Sequence, residues 1–412
     1  VEKFFGVGEM ENPLNETISN LNSWLVEVRR DIHQHPDLAF EEVRTSALVA
    51  DQLESFGLEV RKGVGKTGVV GLLREDAKGP TVAVRADMDA LPIQEENDVS
   101  YASKTPGLMH ACGHDAHTTI VLGVARFLAE NPGFLDGVPG KVKFIFQPAE
   151  EGRAGAAAMI QDGVLSDPPV DAIFGAHMMH ALPVGKVGFT SGPALAAHDE
   201  IEITVTGKGG HAARPDTAVD PILVASHIVI GLHTIVSRNV NPMESAVLSI
   251  GCVNAGRAFN VIPETATLVG TIRTLSDEVR ELVRARVREL AEGVAAGYRA
   301  RAEVVIKEGY PVTVNDPDLT SFASQIVGSS WGQEATQQLP PIMASEDFSY
   351  YLKEVPGTFF RLGCGNVERG ITATVHNPKF DIDEDVLPFG VAVFARLIRS
   401  YLEDAQHRRG DR

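Results

Sequence analysis

Ile201-Glu202-Ile203-Thr204-Val205-Thr206 decides how this chain is divided. Apolar and polar side chains alternate strictly, the pattern of a strand with one face buried and the other in solvent. Upstream, the grammar is different. Gly68–Leu73, Thr81–Ala86, Val142–Phe146 and Ala172–Gly175 are short apolar runs. Between them lie helical patterns at Glu42–Phe56, ended by Gly57, at Thr118–Glu130, stopped by Asn131-Pro132, and at Ala154–Gln161. Ahead of these, Ile18, Leu21, Leu25, Val28 and Ile32 recur at helical spacing and predict one helix that stops near Pro36. Continuous apolar strands separated by helices indicate a sheet covered on both faces. The half-exposed strand at Ile201 therefore begins something else.

Downstream of it the pattern reads helix (Pro221–Ser237), strand (Ala246–Val253), strand (Thr265–Thr271), helix (Ser276–Ala300) and strand (Glu303–Lys307). This β-α-β-β-α-β order is the split arrangement of a ferredoxin-like sandwich. After about Tyr310 the first pattern returns, with a helix near Leu319–Gly328, a strand at Thr358–Gly363 and a helix near Asp385–Glu403. The expected fold class is α/β: a discontinuous domain (1–191 and 308–412) with helices on both faces of a mixed sheet, interrupted by a ferredoxin-like α+β domain at 192–307. Hinges are expected near Gly192 and Glu308.

The 412 residues carry a formal net charge of -18, with 44% hydrophobic and 22% charged residues. That composition excludes a disordered or collagen-like chain. The acid excess argues against a nucleic-acid partner, which needs clustered Lys and Arg. The most apolar stretch, Ile222 to Val236, is interrupted by Ser226, His227 and His233, so no membrane span is expected. Three cysteines (Cys112, Cys252, Cys364) cannot form a disulfide framework, and a reducing cytoplasm is the simpler home. Residues 1–16 lack the apolar core of a secretory signal and read as a loose arm.

Candidate chemistry gathers just past strand ends, where open α/β sheets keep their sites. Asp87 and Asp89 follow Thr81–Ala86, Glu150 and Glu151 follow Val142–Phe146, and His177 follows Ala172–Gly175. Carboxylates and an imidazole so placed could form a metal cluster. The densest stretch is His110-Ala111-Cys112-Gly113-His114-Asp115-Ala116-His117. Cys112 and His114 would face the same way in an extended loop but diverge by about 200° on a helix. They make sense as a ligand pair only before the helix begins, with Asp115 as its N-cap. A buried thiol beside a packed imidazole is the competing reading of that pair, and an acidic surface loop that of Glu150-Glu151. Off a strand end, however, one Glu can face a metal while the other exchanges protons with water, which is amide-hydrolysis chemistry.

Taken in order, the motifs resemble the aminoacylase/carboxypeptidase family of two-metal amidohydrolases. The branch is that of indoleacetyl-amino-acid hydrolases, hippurate hydrolases and N-acyl-amino-acid amidohydrolases. The likeness rests on Arg30-Asp31-Ile32-His33-Gln34-His35-Pro36, Arg85-Ala86-Asp87-Met88-Asp89-Ala90-Leu91-Pro92, Met109-His110-Ala111-Cys112-Gly113-His114-Asp115, Gln147-Pro148-Ala149-Glu150-Glu151-Gly152 and Gly175-Ala176-His177. It continues in Gly207-Lys208-Gly209-Gly210-His211, Asn260-Val261-Ile262-Pro263, Ser345-Glu346-Asp347-Phe348 and Val375-His376-Asn377-Pro378.

The resemblance implies that Cys112, His114, Glu151, His177 and His376 are metal ligands, with Cys112 shared between two divalent ions. Manganese or zinc is expected, with cobalt and nickel as alternatives. It implies Glu150 as general base, Asp89 as the residue orienting a ligand, and His211 as donor to the carbonyl oxygen, reaching the active site of a partner subunit. Asn260 and Arg273 sit where relatives bind substrate. His180 and His198 depart from the family pattern, and either could line the pocket and alter selectivity. The implied activity is hydrolysis of a small N-acyl amino acid by a homodimer, for which Ile222, Val229 and Ile230 are candidate contacts. A dipeptidase or carboxypeptidase, a metal-dependent hydrolytic deaminase, and a non-catalytic binding protein on the same scaffold are the alternatives.

Overall fold

The computed structural model describes residues 13–410. Residues 1–12 of the expected arm lie outside the described residues, and Pro13 already opens a helix, α1 (Pro13–Asn20). The chain divides into two compact units. One comprises the chain up to Gly192 with Asn315–Pro340 and the chain from Tyr350 onward; the other is Pro193–Val314 with Pro341–Ser349.

The first unit is built on an eight-stranded mixed sheet. Six strands come from its N-terminal part: β1 (Glu59–Val64), β2 (Gly68–Leu73), β3 (Thr81–Asp87), β4 (Lys141–Gln147), β5 (Ala172–Pro183) and β6 (Val187–Phe189). Across the sheet the order is β1-β2-β4-β3-β5, then Gly357–Gly365, β6 and Thr336–Gln338. The central strands β4, β3, β5 and Gly357–Gly365 are parallel. Every residue of β3 and of Gly357–Gly365 is buried, the charged Arg85, Asp87 and Arg361 included, as expected for strands covered on both faces. Helices α2 (Asn22–Gln34), α3 (Val43–Ser55), α4 (His114–Glu130) and Val386–Gly410 share one core with the sheet. Helices pack tightly at Gly123 of α4, where an added Cβ would lie 2.6 Å from Val391 and 2.7 Å from Leu25.

Three elements differ from expectation. The helix expected from Ile18 to Ile32 breaks at Leu21, where α2 begins, yet all five apolar residues are buried. The periodicity identified the buried face, not the axis. β1 carries Arg61 and Lys62 and buries only Val64; it pairs with β2 alone, so it has no apolar run to read. β5 continues past Gly175 through His177 and His180, because Gly357–Gly365 supplies its backbone partners as far as Pro183, with a register shift after Met179.

The second unit contains a four-stranded antiparallel sheet, ordered Ala246–Ala255, Thr265–Thr274, Ala197–Thr206, Arg301–Glu308. With helices Pro221–Asn239 and Asp277–Gly297 this is the ferredoxin-like arrangement. Ile201, Ile203 and Val205 are fully buried in its core, while Glu202 and Thr204 on the other face are only partly covered. Each such buried side chain contributes about 1.5–3 kcal/mol. Ser276 caps the second helix, its hydroxyl accepting from the Val279 amide at 3.2 Å. Pro221–Asn239 is, among the described residues, the one helix long and apolar enough to cross a membrane. It is a core helix, burying Val224, Ala225, Ile228, Leu232 and Ile235 in this unit.

Candidate metal centre

β3 and β4 are parallel, so their carboxyl ends deliver side chains to one region. Past β4 the chain turns sharply: Ala149 is fully buried at φ 56°, ψ 44°, the left-handed region that costs a non-glycine residue roughly 1–3 kcal/mol. The buried Glu42 carboxylate holds it there by accepting the Ala149 amide at 2.9 Å. The turn aims Glu150 and Glu151, whose amides donate to the two oxygens of Asp89 at 3.1 and 2.9 Å. His114 Nδ1 contacts the same residue, 2.8 Å from its carbonyl and 3.2 Å from its carboxylate. Asp89 thus ties both glutamates and a histidine together. Glu42 carries no sequence signal of this role, since its partner is distant in the chain.

The Cys-Gly-His stretch corrects one expectation. Helix α4 starts at His114, not after Asp115, and its N-cap is Gly113 at φ 87°. That left-handed residue lets Cys112 and His114 converge across the helix start, and a Cβ there would fall 2.9 Å from Met178 Cγ. Asp115 makes no cap. Its carboxylate is drawn instead to buried partners, Arg29 Nε at 2.8 Å and His33 Nδ1 at 2.8 Å.

Ligand-type atoms of Cys112, His114 and His177 lie within 4.8 Å of one another, as do those of Cys112, Glu151 and His376, and those of His114, Glu150 and Glu151. His376 is brought in by its amide, which donates to the Ala111 carbonyl at 2.7 Å, with φ 63°. A carbonyl can only accept, so the Nδ1 atoms of His114 (to Asp89) and His177 (to Met178, 2.9 Å) both carry protons. When the rings are neutral, as ligation of an ion requires, each Nε2 is then a lone pair. That of His177 lies 3.3 Å from Cys112 Sγ; that of His114 is buried without a hydrogen-bond partner. Glu151 Oε1 is also buried, 3.0 Å from His376 Nε2 but without hydrogen-bond geometry. His114 Nε2 and Glu151 Oε1, both buried without a hydrogen-bond partner, are what a cation would satisfy, and thiolate, imidazole and carboxylate suit a divalent transition ion.

Electrostatics agree. Burial pushes the Cys112 thiol up, so a thiolate there needs a cation beside it. Burial drives His177 well below the usual imidazole range, leaving it neutral. His114 is buried too, but the Asp87 and Cys112 charges outweigh that and hold it well above the usual range. Cys112 and Glu151 raise His376 to about 10. The two raised imidazoles show that the anionic groups beside them draw positive charge.

The remaining predicted residues lie elsewhere. His180 is half-buried further along β5 and is not among the converging groups. In the second unit, His211 and Asn260 sit together on a small antiparallel pair, Gly210–His211 with Val261–Ile262, and the Asn260 carbonyl accepts from Ala212 N at 3.0 Å. His211 Nδ1 accepts from Ala213 N at 3.0 Å, so the neutral ring presents Nε2–H outward. Arg273 bonds Ser345 Oγ at 3.1 Å and Thr271 Oγ1 at 3.3 Å, and no carboxylate among the described residues pairs with it. His198 packs edge-on to Tyr310.

Carboxylates, imidazoles and a thiol converging at the carboxyl ends of parallel strands define a metal-dependent hydrolase with a site for two ions. Comparison gives the family. Residues 83–400 match the model of peptidase family M20/M25/M40, and the chain belongs to it. It is 43% identical over 385 residues (92% of this chain, 86% of the relative) to the IAA-amino acid hydrolase ILR1-like 2 of Arabidopsis thaliana. It is 41% identical over 379 residues (92% and 88%) to the N-acetyl-L-cysteine deacetylase of Bacillus subtilis. A crystal structure of a dinuclear metal binding peptidase of the M20 family from Bacillus subtilis superposes with TM-score 0.81 at 38% identity, covering 93% of this chain and 99% of that one.

Proposed function

We propose that this protein hydrolyses the amide bond of small N-acyl amino acids. The observation that carries the reading is the orientation of His114 and His177, each spending Nδ1–H on a backbone carbonyl and leaving Nε2 available beside Cys112. In this reading Cys112, His114 and His177 hold one divalent ion, and Cys112, Glu151 and His376 the other. Manganese or zinc suits these donors, as do cobalt and nickel. Bound there, the ions supply Lewis acidity and lower the pKa of water toward neutrality. Glu150, buried beside His114 and Glu151, takes the proton from the attacking water and passes it to the departing amine nitrogen. Asp89 positions both glutamates through their amides. His211 offers Nε2–H to the carbonyl oxygen, as it gains charge, in the active site of the partner subunit. Arg273, free of a carboxylate partner among the described residues, receives the substrate carboxylate, with Asn260 and His180 as further contacts.

Relatives that hydrolyse IAA-amino acids and deacetylate N-acetyl-L-cysteine support this substrate class. Exposed Ile222, Leu223 and Ile230 on helix Pro221–Asn239 support a homodimer; Val229 instead packs on its own core. Three unpaired cysteines support a cytoplasmic setting. Glu150→Gln tests the base: it is expected to retain both ions while losing about 10²–10⁴-fold in kcat on N-acetyl or N-benzoyl amino acids. Near-normal turnover would remove Glu150 from that role.

A further inference from the structure

His117 lies one turn beyond His114 on α4 and is buried, yet it is not one of the proposed ligands. Its Nδ1 is 2.6 Å from Asp87 Oδ1, and its Nε2 accepts the Met178 amide at 2.9 Å. An amide can only donate, so the proton sits on Nδ1 and both ring nitrogens are committed. Asp87 is equally committed: Arg85 Nη1 donates to Oδ2 at 2.6 Å, and Thr118 Oγ1 to its carbonyl at 2.7 Å. Although Asp87, His114 and His117 are close enough to hold an ion, the guanidinium already occupies the carboxylate, and the group is not a third metal site.

The Met178 peptide is where this network meets the metal centre. β5 pairs with β3 only as far as Gly175, so on that side the Met178 amide has lost its sheet neighbour. His117 replaces it. The carbonyl of the same residue accepts His177 Nδ1–H at 2.9 Å. One residue is therefore gripped at both polar groups, by His117 at the amide and by His177 at the carbonyl, while His177 Nε2 faces Cys112. Resting on the two-metal reading above, we propose that His117, held by Asp87, is a positioning residue. It fixes the Met178 peptide, thereby aims His177 at Cys112, and sets the affinity of one of the two ions without touching it.

The test uses metal-free enzyme titrated with cobalt(II), following thiolate-to-cobalt absorption and the number of ions retained on dialysis. The wild type should bind two. His117→Asn can keep the donor to Asp87 but cannot reach Met178, and should weaken one ion by about 10–100-fold while sparing the other. His117→Gln carries an acceptor long enough for the Met178 amide and should restore most of that loss. Two ions bound equally by all three proteins, or equal loss in both variants, would overturn the inference and leave the two-metal reading standing. A wild type that binds none would overturn both. Should His117→Asn not fold, Asp87→Asn carries the test: weakening of one ion supports the inference, and unchanged binding overturns it. Nitrogen-15 NMR of the metal-free wild type must show His117 protonated on Nδ1; protonation on Nε2 would also overturn it.

Discussion

Cys112 and His114 are separated by one glycine, and that glycine decides whether they can share an ion. At φ 87°, with 2.9 Å between a would-be Cβ and Met178, Gly113 tolerates no side chain. Gly113→Ala should cost about 1–3 kcal/mol in denaturant unfolding and weaken metal binding; an unchanged midpoint would contradict the packing described. A few residues on, Arg29 neutralises Asp115 where neither side chain reaches solvent. Removing one partner strands the other charge, so Arg29→Met should destabilise by about 3–5 kcal/mol. At this scale the sequence was partly legible. Cys112 and His114 were visible in a dense Cys/His stretch, and Glu150, Glu151 and His177 past strand ends, whereas His376 followed only from the family resemblance. The partners that aim them, Glu42 for Ala149 and Asp87 for His117, were not, because the contacts span 107 and 30 residues.

Secondary-structure elements were legible where burial was one-sided or complete. The alternation at Ile201–Val205 matches its buried face. β1 was not, since an edge strand that buries only Val64 has no pattern to offer. Strand Ala197–Thr206 also carries a charge the periodicity could not explain: Asp199, buried against Arg280 (2.7 Å) and Arg284 (2.6 Å). Burial alone would raise its pKa, but the two guanidiniums bring it down to about 2. A carboxylate lowered on folding stabilises above its unfolded pKa of 3.8, and the contribution fades as pH falls toward 2. Between those values the second unit should lose about 1–2 kcal/mol that Asp199→Asn does not lose, measured as the pH dependence of its unfolding.

For the whole molecule, the acid excess of -18 looks different once the site is known. Asp89, Glu150 and Glu151 contribute to it, and in the proposed reading their charge is answered by cations that composition cannot count. Bound ions stabilise the folded chain by mass action, about 2.7 kcal/mol per site at a free concentration ~100-fold above Kd. Chelation should therefore lower Tm, and readdition of manganese or zinc should restore it; a Tm indifferent to both would contradict an intimate metal centre. The most direct measurement is anomalous scattering from crystals of the metal-loaded protein. Two peaks are predicted, sharing Cys112 Sγ at about 2.3 Å for zinc, one also bonded by His114 and His177 and the other by Glu151 and His376. A single peak, or two that do not share Cys112, would contradict the account.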